Sequence, residues 1–130
     1  MTHVLPRRST FSFTLVMVAG LLMAACGRQD DRPVRPIIGD ADQGAIEISR
    51  SGCGSCHEIP GVEHAIGLVG PPLSHFSRRT IIAGLLPNTP PNLVHWLQDP
   101  QAVVPGNAMP DGDLDDRQAR DIAAYLYTLR

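Results

Sequence analysis

A chain of 130 residues has room for one domain, and a formal charge of −2, with eleven arginines and no lysine against thirteen acids, excludes a basic nucleic-acid-binding surface. Three cysteines are too few for a disulfide scaffold, although a pair of them suffices for a redox or metal-bearing site.

Residues 1–8 carry Arg7 and Arg8, and residues 11–25 form a nearly unbroken apolar run that ends in small residues just before Cys26. That is the pattern of a secretory signal, and the run is short for a bilayer span. Leu22-Met23-Ala24-Ala25-Cys26 resembles a bacterial lipobox, whose cysteine becomes the acylated N-terminus. An ordinary cleaved signal with an incidental cysteine and an uncleaved anchor are the other readings, and under all of them the rest of the chain faces the periplasmic side of the cell envelope. Removing residues 1–25 leaves nine arginines against thirteen acids, a net −4, with only Phe76, Trp96, Tyr125 and Tyr127 as aromatics. A core so poor in large side chains needs something else to fill its middle.

Residues 26–39, with arginines, aspartates and prolines and little apolar content, read as a flexible tether, so the folded domain is expected over 40–130. Asp40 followed by Gln43 is a capping-box start; Ala41, Gly44, Ala45 and Ile48 recur at helical spacing, and Gly52 supplies the stop. Residues 58–88 are rich in glycine and proline and are expected to be loop, with one short helix around 77–83. Thr89 caps a second helix with Pro90 in its first turn, Leu93, Trp96 and Leu97 on its apolar stripe and Pro100 closing it. A further loop spans 101–113. Asp115 with Gln118 repeats the capping signature, and Ala119, Ile122, Ala123, Leu126 and Leu129 line one face of a terminal helix. With no strand alternation and no repeat, the class is all-α: three main helices with long loops.

The chemistry lies where the first helix ends, at Cys53-Gly54-Ser55-Cys56-His57. Two cysteines three apart can bond both vinyl groups of one porphyrin as thioethers, while the imidazole of the next residue falls beneath the iron. A thioredoxin-type dithiol would need a βαβ context, and a zinc site a second pair of ligands; the sequence contains neither, and chance is the last alternative. The motif therefore predicts one covalent haem c held by Cys53, Cys56 and His57.

With that motif, the Gly70-Pro71-Pro72-Leu73 turn, the Asn107-Ala108-Met109-Pro110 loop and Tyr125-Leu126 occur in the order of a class I cytochrome c, which residues 40–130 resemble over their whole length. Arg78-Arg79-Thr80 and the run from Leu86 to Leu93 leading into Trp96-Leu97-Gln98-Asp99-Pro100-Gln101 are similar to the cytochrome c domain fused to subunit II of caa3-type oxidases. The resemblance implies Met109, the one methionine outside the leader, as second axial ligand, with His64, His75 and His95 as its competitors. It also implies that the Pro71 carbonyl accepts from His57, that Arg79, with Arg78 beside it, pairs with a haem propionate, and that Trp96 lies beside the distal ligand.

The expected protein is a monohaem cytochrome carrying single electrons in a bacterial respiratory chain, to or from a terminal oxidase or an upstream dehydrogenase. It is an electron carrier and not an enzyme, with redox proteins as partners, a membrane anchor through lipid on Cys26, and neither a small-molecule substrate nor nucleic acid. The alternatives are a cytochrome subunit bound permanently in an oxidase or periplasmic dehydrogenase complex, and a haem sensor or peroxidase-like protein, which needs an open sixth position.

Overall fold

The computed structural model describes residues 39–130; the expected signal, the lipobox cysteine and all but the last residue of the tether lie outside the described residues. Helix α1 (Ala41–Arg50) starts where the Asp40 carboxylate folds back onto the amides of Asp42 and Gln43, at 2.9 and 3.1 Å. The N–H of Asp40 itself donates across the molecule to the Asp121 carboxylate at 2.8 Å. Gly52, at φ +70°, turns the chain out of α1 into a 3₁₀ turn, Cys53–Ser55.

The helix expected at 77–83 is not there. The chain makes one 3₁₀ turn, Phe76–Arg78, and then a small antiparallel hairpin of β1 (Ile81–Ile82) and β2 (Leu86–Pro87), with Ile82 opposite Leu86. The adjacent β-branched Ile81 and Ile82 favour the strand, and two successive left-handed residues, Ala83 at φ +54° and Gly84 at φ +68°, reverse it. Strands of two residues are too short to leave an alternation in the sequence.

Helix α2 (Pro90–Gln98) is capped by Thr89 and carries proline in its first turn. Where a loop was expected from Gln101 onward, the Asp99 carboxylate accepts the Ala102 N–H at 2.8 Å and starts a one-turn helix, α3 (Pro100–Val103). Helix α4 (Asp116–Thr128) has the expected capping box in both directions, Gln118 N–H to Asp115 at 2.8 Å and Asp115 N–H to Gln118 at 3.0 Å. None of the helices among the described residues is long and apolar enough to cross a membrane.

The first and last helices cross in contact, and the crossing depends on Gly44: a β-carbon there would lie 2.0 Å from the carbonyl oxygen of Asp121. Beside it the buried Glu47 carboxylate accepts from Gln118 at 3.1 Å and from Arg50 at 3.3 Å. Phe76 meets Tyr127 edge to face, with ring centres 5.9 Å apart, fixing the 3₁₀ turn against the end of α4.

Gly44→Ala must separate α1 from α4, and overpacking of this kind costs about 1–3 kcal/mol. Denaturant unfolding of the holoprotein should show a loss at the upper end of that range, while Gln43→Ala, one residue away on the exposed side, should stay within about 0.5 kcal/mol of the parent. Equal stabilities for the two variants would refute the close crossing.

Candidate cofactor site

The residues that should form a solid core instead surround a space. Ile48, Leu93, Ile122 and Leu126, all buried, line a cavity of about 650 Å³. That volume lies within the range of about 300–1,000 Å³ typical of ligand and cofactor sites. Apolar walls around so large a space suit a large apolar cofactor.

The same cavity is lined by Cys53, Cys56, His57, Pro71, Arg79, Trp96 and Met109, the residues expected to hold or surround the cofactor. Among the four candidates for the second axial position, Met109 lines the cavity; His64, His75 and His95 are exposed and do not. Arg79 lines it as well, whereas Arg78 is exposed and does not.

Neither Cys53 nor Cys56 is in a disulfide. Burial pushes the Cys53 thiol above its ordinary pKa, against a smaller lowering by a backbone hydrogen bond, and the neighbouring Cys56 adds to the rise. A redox dithiol needs the opposite shift, toward thiolate. Among the described residues, no three His, Cys, Asp or Glu side chains gather as metal ligands, which leaves the half-zinc-site reading without its other half there.

Nδ1 of His57 lies 2.8 Å from the carbonyl oxygen of Pro71. A carbonyl only accepts, so Nδ1 carries the proton and Nε2 keeps a lone pair for a metal. The ring packs directly over Gly70, where a β-carbon would come within 2.3 Å of Cε1 and 2.6 Å of Nδ1. The loop beneath is drawn in by the Gly70 N–H donating to the Cys56 carbonyl at 2.8 Å.

Arg79 is aimed by its neighbours: its guanidinium donates to the Pro72 carbonyl and lies 5.3 Å from the centre of the Phe76 ring. A cation fixed on a cavity wall fits an anionic substituent of a bound group. Sequence reasoning missed what holds Arg79 there. Asn88, 1% exposed, donates to the carbonyls of Phe76 and Arg79 at 3.1 and 3.0 Å and accepts the Tyr127 hydroxyl at 2.7 Å. Between Pro87 and Thr89 in a proline-rich run, it reads as an ordinary turn residue. Gln101 and Asn107, which fasten the Met109 loop, were missed in the same way.

Comparison with known proteins agrees with this arrangement. The family model described as Cytochrome c matches residues 43–130. The chain is similar to cytochrome c oxidase subunit 2 of Alkalihalophilus pseudofirmus, 35% identical over 91 residues, which are 69% of this chain and 26% of that protein. The protein of the same name from Bacillus sp. (strain PS3) is 33% identical over 102 residues, 74% of this chain and 28% of the relative. That from Bacillus subtilis is 32% identical over 94 residues, 69% of this chain and 26% of the relative. The chain thus spans about a quarter of the length of these curated relatives.

Gly70→Ala should push the His57 ring off the Pro71 carbonyl. In the holoprotein the His57 Nδ1 proton, protected by that bond, should then exchange rapidly with water on the NMR timescale. A proton that stays slow to exchange in the variant would refute the contact between the ring and Gly70.

Proposed function

This chain belongs to the cytochrome c family, and from that premise we propose that it passes single electrons to or from a terminal oxidase. It is an electron carrier of the all-α class I fold with covalently bound haem c. The observation that best supports the finer reading is the convergence of Cys53, Cys56, His57 and Met109 on one apolar cavity. Cys53 and Cys56 would hold the porphyrin edge as thioethers, and His57 and Met109 would take the two axial positions. When bound, the haem iron supplies reversible one-electron chemistry between its ferric and ferrous states.

The rest of the work falls to the chain. Pro71 keeps the proton on His57 Nδ1, so the ligating nitrogen stays basic and correctly turned. Arg79, held by Pro72, supplies a positive charge to offset a buried propionate. Trp96 and the leucines of α2 exclude water from the cavity. With His57 and Met109 both holding the iron, Met109 would favour its ferrous state and would leave no open position for turnover of a small substrate.

The relatives' name, cytochrome c oxidase subunit 2, supports a terminal oxidase as partner. Residues 1–25 as a lipoprotein signal, 26–39 as a tether and 40–130 as the domain would hold the carrier on the periplasmic side of the membrane through lipid on Cys26. Sharing a membrane raises the partners' effective concentration, so weak docking suffices. The same name favours a second reading, a subunit held permanently in an oxidase complex. Detergent-solubilised native protein that runs as a free monomer would exclude that reading.

Two variants test the site. In the Cys53→Ala, Cys56→Ala double variant, acid-acetone should extract any haem taken up, and a fully covalent haem would overturn the attachment. Met109→Ala should abolish the weak sulfur-to-iron absorption band at the red end of the ferric spectrum and lower the potential; an unchanged spectrum would overturn its assignment.

A third experiment concerns the partner. The mouth of the cavity is bordered by exposed Asp111 on the Met109 loop and by the exposed apolar side chains of Val69 and Ile81. A partner with a cationic patch around an apolar contact would match it. Electron transfer from the soluble domain to such an oxidase should slow as salt screens the attraction, and less steeply after Asp111→Asn and Asp113→Asn. Rates flat in salt and unchanged in the variants would leave the apolar rim as the docking surface.

A further inference from the structure

Residues 104–115 contain no helix or strand. Even so, the backbone around Met109 is fastened at four points by two side-chain amides. The Gln101 Nε2 donates to the carbonyls of Asn107 and Met109, at 3.1 and 2.9 Å, and its Oε1 accepts the Gly106 N–H at 3.1 Å. Asn107 Oδ1 accepts the Met109 N–H at 2.7 Å, while its Nδ2 donates to the carbonyls of Pro100 and Val104 at 2.8 and 2.7 Å. Each amide thus uses both donor hydrogens and its acceptor, and Met109 has both its N–H and its carbonyl held.

Resting on the reading of Met109 as axial ligand, we propose that Gln101 and Asn107 are positioning residues that hold its thioether at the sixth position and set how readily another ligand displaces it. A thioether is a weak ligand on a side chain with three rotatable bonds, so an unfastened loop would lose much of the ligation to conformational freedom. Pro110 already restricts Met109 to extended backbone. The amides add fixed anchor points, because Gln101 sits on α3, whose Pro100 is buried in the core and whose start is capped by Asp99. A foreign ligand that displaces Met109 must move the loop and break these bonds. Removing one amide lowers that barrier while leaving the helices that wall the cavity in place.

Gln101→Glu is the sharpest substitution. It keeps size and shape but puts an oxygen where Nε2 faced two carbonyls, so two bonds are replaced by repulsion. The experiment is a titration of the ferric holoprotein with imidazole, followed by loss of the sulfur-to-iron band. Gln101→Glu and Asn107→Ala, which lose two and three of these hydrogen bonds, should each tighten apparent imidazole binding by at least about tenfold. Amide exchange at Met109 should quicken in Asn107→Ala, which removes the oxygen that accepts its N–H. Gln118→Ala, which loses a bond to Glu47 away from this loop, should leave imidazole affinity as it was. Parental affinity in Gln101→Glu, or equal tightening in Gln118→Ala, would overturn the positioning role; if Asn107→Ala takes up no haem, Gln101→Glu decides alone. A band that survives Met109→Ala would instead overturn the ligand reading itself, so the two failures are distinguishable.

Discussion

Everything in this fold answers to one constraint: the apolar faces of its helices are arranged around a space instead of closing on one another. Ile48 from α1, Leu93 from α2, and Ile122 and Leu126 from α4 are buried, and all four line the cavity. With so few aromatic side chains, the chain cannot fill that volume from its own residues. A haem held there would be part of the hydrophobic core as well as the redox centre, and its binding free energy would be added to that of folding.

That constraint determines where polar side chains are used. Walls built around a flat cofactor leave long loops to pass over its edges, and those loops pair only part of their backbone among themselves, as where Gly70 donates to Cys56 and Leu73 to Glu58. Side-chain amides and hydroxyls pair more of it. Asn88 holds the turn that carries Arg79, Gln101 and Asn107 hold the Met109 loop, and the Tyr125 hydroxyl donates to the Pro60 carbonyl at 2.6 Å. Asparagine and glutamine suit the task because one side chain both donates twice and accepts, without a charge that would need a counterion beside an apolar site.

The features legible in the sequence were those with short-range causes. Asp115 and Gln118 announce α4 because the capping box is written in four consecutive positions, and Cys53, Cys56 and His57 announce a shared site because their motif is set within one turn and all three line the cavity. The hairpin at 81–87 was missed because two-residue strands carry no period, and α3 because one turn started by Asp99 looks like the end of the preceding helix. Asn88, Gln101 and Asn107 were missed for a different reason. Their partners are backbone carbonyls, and a carbonyl is present at every position whatever the residue. Gly44 was legible as one of the residues recurring at helical spacing, but its contact with the Asp121 carbonyl depends on a crossing that joins the two ends of the domain.

The separation between local and distant contacts bears on how the site comes together. His57 is oriented by Pro71, fourteen positions away, and Met109 by Gln101, eight positions away. Asp40 meets Asp121 across 81 positions, Glu47 meets Gln118 across 71, and Tyr125 meets Pro60 across 65. Short loops cost little entropy to close, so each ligand-bearing loop can take its shape by itself, while the helix crossing must wait for a long closure. Covalent capture at Cys53 and Cys56 would attach the cofactor to the first loop. Ligation by Met109 would then bridge to the second loop, bringing together the α1 and α4 walls that the side chains alone cannot fill between. The axial bond is on this view a folding contact as well as a redox determinant, which is why a small amide clamp on the Met109 loop can influence both.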